Sequence, residues 1–180
     1  MDPIMRNVRA VLAAALNKTG QQTVNQAVRE IAIEYRVTTS GTRSGVKKNI
    51  FVSQRAIQTS LQVVIKALGS PLGIVKFPHR QLKNGVKVTI KQSGSKVLSH
   101  TFVATMASGH VGVFERYGPK VMPTKGRYES KSIMRQRIRE KFTVSAASMF
   151  ASRSISARVL KFAEGIFPKI LQNQVEFRSK

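Results

Sequence analysis

The chain has no cysteine, no tryptophan and a single aspartate, Asp2, in 180 residues. The absence of cysteine excludes a disulfide framework, a thiolate metal site and a cysteine nucleophile, and leaves the redox compartment open. Acid-base and metal chemistry needs converging carboxylates and imidazoles, and both are scarce. There are 8 Asp and Glu in all, and the three histidines, His79, His100 and His110, never fall at the i, i+4 spacing of a helical zinc pair. Ser108, Gly109 and His110 have no acid nearby to orient the imidazole, so they read as a turn. Glycine-rich phosphate loops of the Walker or dinucleotide type are missing too. These absences predict a protein that is not an enzyme and carries no metal or cofactor. No apolar run approaches the roughly 18 residues of a membrane span. The short apolar stretch near the start follows Asp2 and ends in no cleavage pattern, so an unprocessed protein with no membrane partner is expected.

What the chain has in excess is positive charge. Lys and Arg number 31, giving a formal net charge of +23, while 42% of the residues are hydrophobic, enough to bury a core. The charge is unevenly spread. No acidic residue lies between Glu34 and Glu115, yet that stretch holds Arg36, Arg43, Lys47, Lys48, Arg55, Lys66, Lys76, Arg80, Lys83, Lys87, Lys91 and Lys96. Like charges without counterions repel, so an anionic partner is expected. A second basic block spans residues 116–141 and begins at Arg116. Residues Arg36, Arg43, Lys47, Lys48, Lys83, Lys87, Lys91, Lys96 and Arg116 are the candidate contacts to DNA or to an acidic partner. Base reading in single strands uses stacking aromatics, yet there is no Trp, there are only 3 Tyr, and the 9 Phe fall mostly at apolar core-like positions. The composition therefore supports contact with a phosphate backbone without sequence recognition. A basic RNA- or DNA-binding scaffold protein of ribosomal type would share this profile.

The hydrophobic periodicity predicts the order of elements. Asp2 and Pro3 are suited to the N-cap and first position of a helix. Val8, Val11, Leu12 and Ala15, then Val24, Ala27, Val28, Ile31 and Tyr35, recur at helical spacing, in one long helix or two. A turn-rich stretch at residues 38–45 follows. From Leu61 the period changes to 2: Leu61, Val63, Ile65 and Ala67 alternate with their neighbours. Asn84 and Gly85 make a tight-turn pair ahead of Val86, Val88 and Ile90, which would face in, while Lys87, Thr89 and Lys91 face out. Residues 96–106 read as the return strand, and residues 111–114 as a further strand ending at Gly118 and Pro119. Beyond Pro123, Met134, Ile138 and Phe142 return to helical spacing, and residues 144–174 read as more helix, with Leu160, Ala163, Phe167 and Ile170 on one face and Pro168 as a kink or break. The expected fold is a single α+β domain over residues 1–180. It comprises an N-terminal helical arm at 1–36, an antiparallel β-meander core at 59–118 and C-terminal helices at 130–174 packed on the sheet. Val8, Val11, Leu12, Val24, Val28 and Ile31 form a candidate inter-subunit helix; the alternative is that this stripe packs across the chain's own sheet.

The run GVKVTIKQSGSKVLSHTFVATMASGHVGVFERYG, ending at Gly118, carries more than periodicity. Its basic strand at Val86 to Lys91, the segment at Thr101 to Ser108, the turn at Ser108, Gly109 and His110, and the Val-Phe-x-Arg stretch at Val113 to Arg116 together resemble the phage minor tail protein Z family, the tail completion proteins of lambda-like siphophages. AVREIAIEY at Ala27 to Tyr35 looks like the end of that family's N-terminal helix, and PLGIVKF at Pro71 to Phe77 like its Pro-Leu-Ile-x-Phe element. The resemblance covers about residues 15–120 and is most specific at 102–118. After Gly118 the chain departs from the family pattern, since residues 125–132 keep a Tyr and a Ser but lack the Gly-Pro pair. The resemblance implies a non-catalytic structural protein of the virion, assembled in the host cytoplasm and placed at the head-proximal end of the tail, where it supports head-tail joining and genome-end positioning. It implies tail terminator, tail tube and tape-measure proteins as neighbours, packaged DNA as a phosphate contact, and a homo-oligomeric ring, six-fold by the symmetry of tail tubes.

Overall fold

The computed structural model describes residues 3–38, 45–122 and 134–178. The Asp2 cap, Arg43, most of the turn-rich stretch after Thr38 and the departure from the family pattern at 125–132 lie outside them. Helix α1 (Pro3–Glu34) is one continuous helix of 32 residues, about 48 Å long at 1.5 Å per residue. It runs past Gly20 without a break, and that position needs a small residue: a Cβ there would stand 2.6 Å from Val63 Cγ1. Thr19 and Thr23 are buried in the helix, and their hydroxyls donate to the carbonyls of Ala15 and Thr19, each at 2.8 Å, so no polar group is orphaned.

The strands are β1 (Ile50–Gln54), β2 (Val64–Ala67), β3 (Pro71–Gly73), β4 (His79–Leu82), β5 (Gly85–Lys91), β6 (Gly94–Ser99), β7 (Thr101–Thr105), β8 (Val111–Val121), β9 (Arg135–Glu140) and β10 (Phe142–Ser145). Short helix α2 (Ala146–Phe150) and long helix α3 (Arg153–Arg178) complete the chain. All pairings are antiparallel and form four small sheets, β1-β2, β3-β10, β4-β5-β6 and β7-β8-β9. The fold is α+β, with a long N-terminal helix, small antiparallel sheets and C-terminal helices packed against them. Ile31, Ile50, Phe77, Val86, Val88, Val113, Met149 and Ile155 fill the core, each essentially sealed from solvent. Residue period produces this directly: Val86 and Val88 go in while Lys87 stays out, as alternation along β5 requires.

Several expectations are corrected. Residues 135–145 are strands β9 and β10, not helix. The i, i+4 spacing of Met134, Ile138 and Phe142 coincides with an Arg-x-Arg-x-Arg alternation that pairs with β8, and all three apolar residues are exposed. The return strand is two strands. His100 sits at φ 56° and turns the chain there, so β6 pairs with β5 while β7 pairs with β8. Strand β8 continues through Gly118 and Pro119, with a register shift between Tyr117 and Val121 that accommodates Gly118 at φ 73°. Only residues 64–67 of the alternating stretch at 61–67 are strand, Leu61 being exposed, and β1 has no counterpart among the expected elements. Helix α3 passes through Pro168, and its buried face holds Ile155, Val159 and Ile170, whereas Leu160 is 61% exposed.

The junction of α1 with α3 has a specific electrostatic reason. Glu30 and Glu34 lie at the C-terminal end of α1, where the helix dipole disfavours anions. The Arg158 guanidinium answers both, 2.7 Å from Glu30 and 3.1 Å from Glu34, and Ser154 Oγ donates to Glu34 at 2.8 Å from the first turn of α3. The Ser154 hydrogen bond and then Arg158 hold the Glu34 carboxyl below its usual pKa, against the opposing effect of burial. At its other side the end of α1 is tied to β5: Gln92 N donates to Glu34 O at 3.2 Å, and Arg36 N to Ile90 O at 3.0 Å.

Candidate phosphate-facing surface

The structure distributes the basic residues over several faces. Lys87 in β5 stands opposite Arg80 in β4 and Val97 in β6, so Arg80 and Lys87 share one exposed face of the β4-β5-β6 sheet. Lys96 pairs with Val88 and therefore belongs to the other face, at the sheet's edge. Lys91 lies over the Tyr35 ring, 5.4 Å from its centroid. Arg36, Lys47 and Lys48 are exposed beside the end of α1 and ahead of β1. Of the nine candidates, Lys83 and Arg116 meet at one concave site.

That site is an open cleft of about 560 Å³ where the β4–β5 turn, the β6–β7 turn and the start of β7 approach β8 and β9. Lys83 sits in the first turn and His100 in the second, and the turns are tied by His100 N donating to Asn84 O at 3.2 Å. Thr101 Oγ1 donates to Leu98 O at 2.7 Å, bracing the kink that aims His100. Gly85 is required here: its φ is 148°, and a Cβ would lie 2.0 Å from Leu98 O. Gln81 links the two sheets through its amide, accepting from Val103 N at 2.8 Å and donating to the carbonyls of Leu82 and Gly85. Phe102 and Phe114 are directly opposite in register, with ring centroids 6.2 Å apart. Arg116, two residues beyond Phe114, lays its guanidinium 5.2 Å from the Phe102 ring centroid, which orients the fork without occupying its edge.

Four carboxylates, by contrast, are engaged away from this cleft. Glu115 is bound by Arg139 and by Lys141 at 2.8 Å on the opposite face of β8, and the Lys141 contact first, then Arg139, lowers its pKa. Glu140 Oε2 lies 2.9 Å from His110 Nε2, with the His110 ring edge-on to Phe114. Glu30 and Glu34 hold Arg158. Among the described residues no acidic side chain lines the cleft, and no group of three or more His, Cys, Asp or Glu is placed to hold a metal ion. His79, whose Nδ1 is 2.8 Å from Phe77 O, does not line the cleft.

His100 and the three arginines of β9 are not among the residues that sequence reasoning singles out. The signal for Arg135, Arg137 and Arg139 is their alternation, which puts them on one strand face with Glu115 and Tyr117; Arg139 also lies 5.4 Å from the Tyr117 ring centroid. Nothing in the sequence marks His100, because its position depends on a kink between two strands of different sheets.

The candidate inter-subunit helix divides in two. Val24, Val28 and Ile31 are buried in the chain's own core. Val8 is 49% exposed, and with Val11 and Leu12 it borders an apolar groove of about 610 Å³ against Leu171 and Val175 of α3. The C-terminal half of the stripe thus packs on its own domain, and only the N-terminal half is open to another molecule. Among the described residues no helix is long and apolar enough to cross a membrane. Comparison with known protein families, with curated proteins and with solved structures finds no match for the chain.

Proposed function

We propose that the chain is a structural virion protein that completes the head-proximal end of a phage tail, supporting head-tail joining and the positioning of the genome end. The observation that carries this reading is the resemblance at residues 102–118, which fall in the β7–β8 hairpin beside the Lys83 and Arg116 cleft. Its neighbours would be the tail terminator, tail tube and tape-measure proteins, and the chain would form a homo-oligomeric ring of six-fold symmetry through head-to-tail contacts. The exposed end of α1, with Val8, Val11 and Leu12, is the part of the helix left to reach a neighbour. Exposed cations that carry no carboxylate partner then face either DNA phosphates or acidic surfaces of adjoining rings. The same exposed cations also favour the second reading, a nucleic-acid-binding scaffold protein, which lacks the support of the resemblance.

Electron microscopy of particles assembled without this protein tests the proposal. Heads and tails that fail to join, or that join into non-infectious particles, are expected. Normal joining with full infectivity would refute it.

A further inference from the structure

We infer that the cleft between the β4–β5 and β6–β7 turns is a phosphate-binding site, with Lys83, His100 and Arg116 as its donors and a nucleic-acid phosphate as its ligand. The phosphate chemistry stands on the geometry alone; the nucleic-acid carrier rests on the proposed function beside packaged DNA. Three observations converge. Lys83, His100 and Arg116 come from three separate segments, a turn, a kink and a strand, yet line one concavity. None of the three side chains is held by a hydrogen bond or an ion pair among the described residues, whereas Arg139, Lys141 and Arg158 are all spent on carboxylates. His100 is the one described residue other than glycine with a positive φ, a conformation that costs free energy and is held in place by the Thr101 and Asn84 contacts.

The ligand class follows from the lining. A docked peptide needs apolar pockets to anchor its side chains, and Phe102 is the one large apolar residue lining this cleft, with Arg116 over its ring. A compact anion with several oxygens fits a guanidinium fork, an ammonium and an imidazole that surround one space. The volume, about 560 Å³, is that of a small-molecule site, while Arg80 and Lys87 on the adjoining sheet extend the positive surface along which a phosphodiester backbone can continue.

The test measures binding of inorganic pyrophosphate by titration calorimetry and of a fluorescent DNA duplex by anisotropy, in phosphate-free buffer, with the full chain. Cleft variants Lys83→Ala, Arg116→Gln and His100→Gly are compared with Lys161→Ala and Lys169→Ala, two exposed lysines of α3 outside the cleft lining. Each cleft variant should weaken pyrophosphate binding by about tenfold or more, the loss expected for one charge-assisted hydrogen bond, with the controls within about threefold. His100→Gly separates binding from folding, since it removes the imidazole and relieves the positive φ: its melting temperature should hold or rise while pyrophosphate affinity falls. Duplex affinity should drop more in the cleft variants than in the controls. Equal duplex losses in cleft and control variants, with pyrophosphate still lost selectively, would keep the phosphate site and refute nucleic acid as its ligand. Wild-type protein that ignores pyrophosphate, or that binds an acidic peptide in its place, would overturn the site. Either failure leaves the particle-assembly result untouched, so the two readings fall separately.

Discussion

Gly85 and Gly94 are the first residues of the paired strands β5 and β6, and replacing each by alanine separates backbone necessity from mere glycine content. At Gly85 the backbone has φ 148°, and an added Cβ would meet Leu98 O at 2.0 Å, Leu98 C at 2.9 Å and Ser99 Cα at 3.1 Å. All three are backbone atoms of the paired strand β6, so relief requires moving the strand and not a rotamer. The unfavourable φ alone costs about 1–3 kcal/mol. Breaking the Leu82, Gly85 and Ser99 register at the strand ends adds about 1 kcal/mol for each hydrogen bond lost. Gly85→Ala should therefore cost about 3–5 kcal/mol. At Gly94 the φ is not positive and an added Cβ would meet no heavy atom within 4 Å, so Gly94→Ala should change stability by no more than about 0.5 kcal/mol. Urea denaturation followed by circular dichroism measures both, and at about 2–4 °C per kcal/mol the melting temperature of Gly85→Ala should fall by roughly 10 °C. A Gly85→Ala protein within about 1 kcal/mol of wild type would show that the turn is not held in this register, and would remove the support under Lys83 and His100 together.

Phe77 is completely buried at the centre of the core, so Phe77→Ala should cost about 3–5 kcal/mol in the same assay, the sum of lost transfer free energy and cavity. Pro168 lies inside α3 and is exposed; Pro168→Ala restores one helical hydrogen bond and should raise stability by about 2 kcal/mol, and a lowered melting temperature would mean that the proline sets a bend the packing needs. The folded pKa values of Glu34 and Glu115 both lie below the usual 4.5, so their contribution to stability is complete above that value and is lost as pH falls through the lowered folded values. Thermal melts should therefore hold from neutrality down to about pH 5 and decline below pH 4.5, and the decline should shrink in Glu34→Gln; a flat profile down to about pH 3 would exclude any role for these pairs.

The parts of the fold that can be read from the sequence are those where one local signal acts alone. The alternation at Val86, Val88 and Ile90 sets the faces of β5, and the apolar repeat from Val24 to Tyr35 sets the buried side of α1, because burial on one side is all that each element needs. Asn84 and Gly85 mark the hairpin, although the two turn residues are Lys83 and Asn84 and Gly85 opens the strand. Local signals mislead where two periods overlap. In residues 134–142 an apolar residue recurs every four positions while arginine recurs every two, and pairing with β8 decides for the strand. Pro168 reads as a break because its local cost is real; the packing of Val159 and Ile170 on either side of it outweighs one missing hydrogen bond.

The acid-free stretch between Glu34 and Glu115 is where sequence and structure meet on function. In the sequence it is a run of like charges that ought to resist folding together. In the structure dispersal relieves the repulsion in part: Lys96 takes one face of the sheet and Lys91 leaves for Tyr35 and the neighbourhood of Glu34, while Arg80 and Lys87 stay opposite each other on the other face. A chain under selection only to tolerate its charge would scatter Lys83, His100 and Arg116 in the same way. They are instead held around one cleft by Gly85, by the Asn84 contact and by the Phe102 ring. Local concentration against a general trend of dispersal is the mark of a site that expects an anion, and it is a feature that net charge, however large, could not have located.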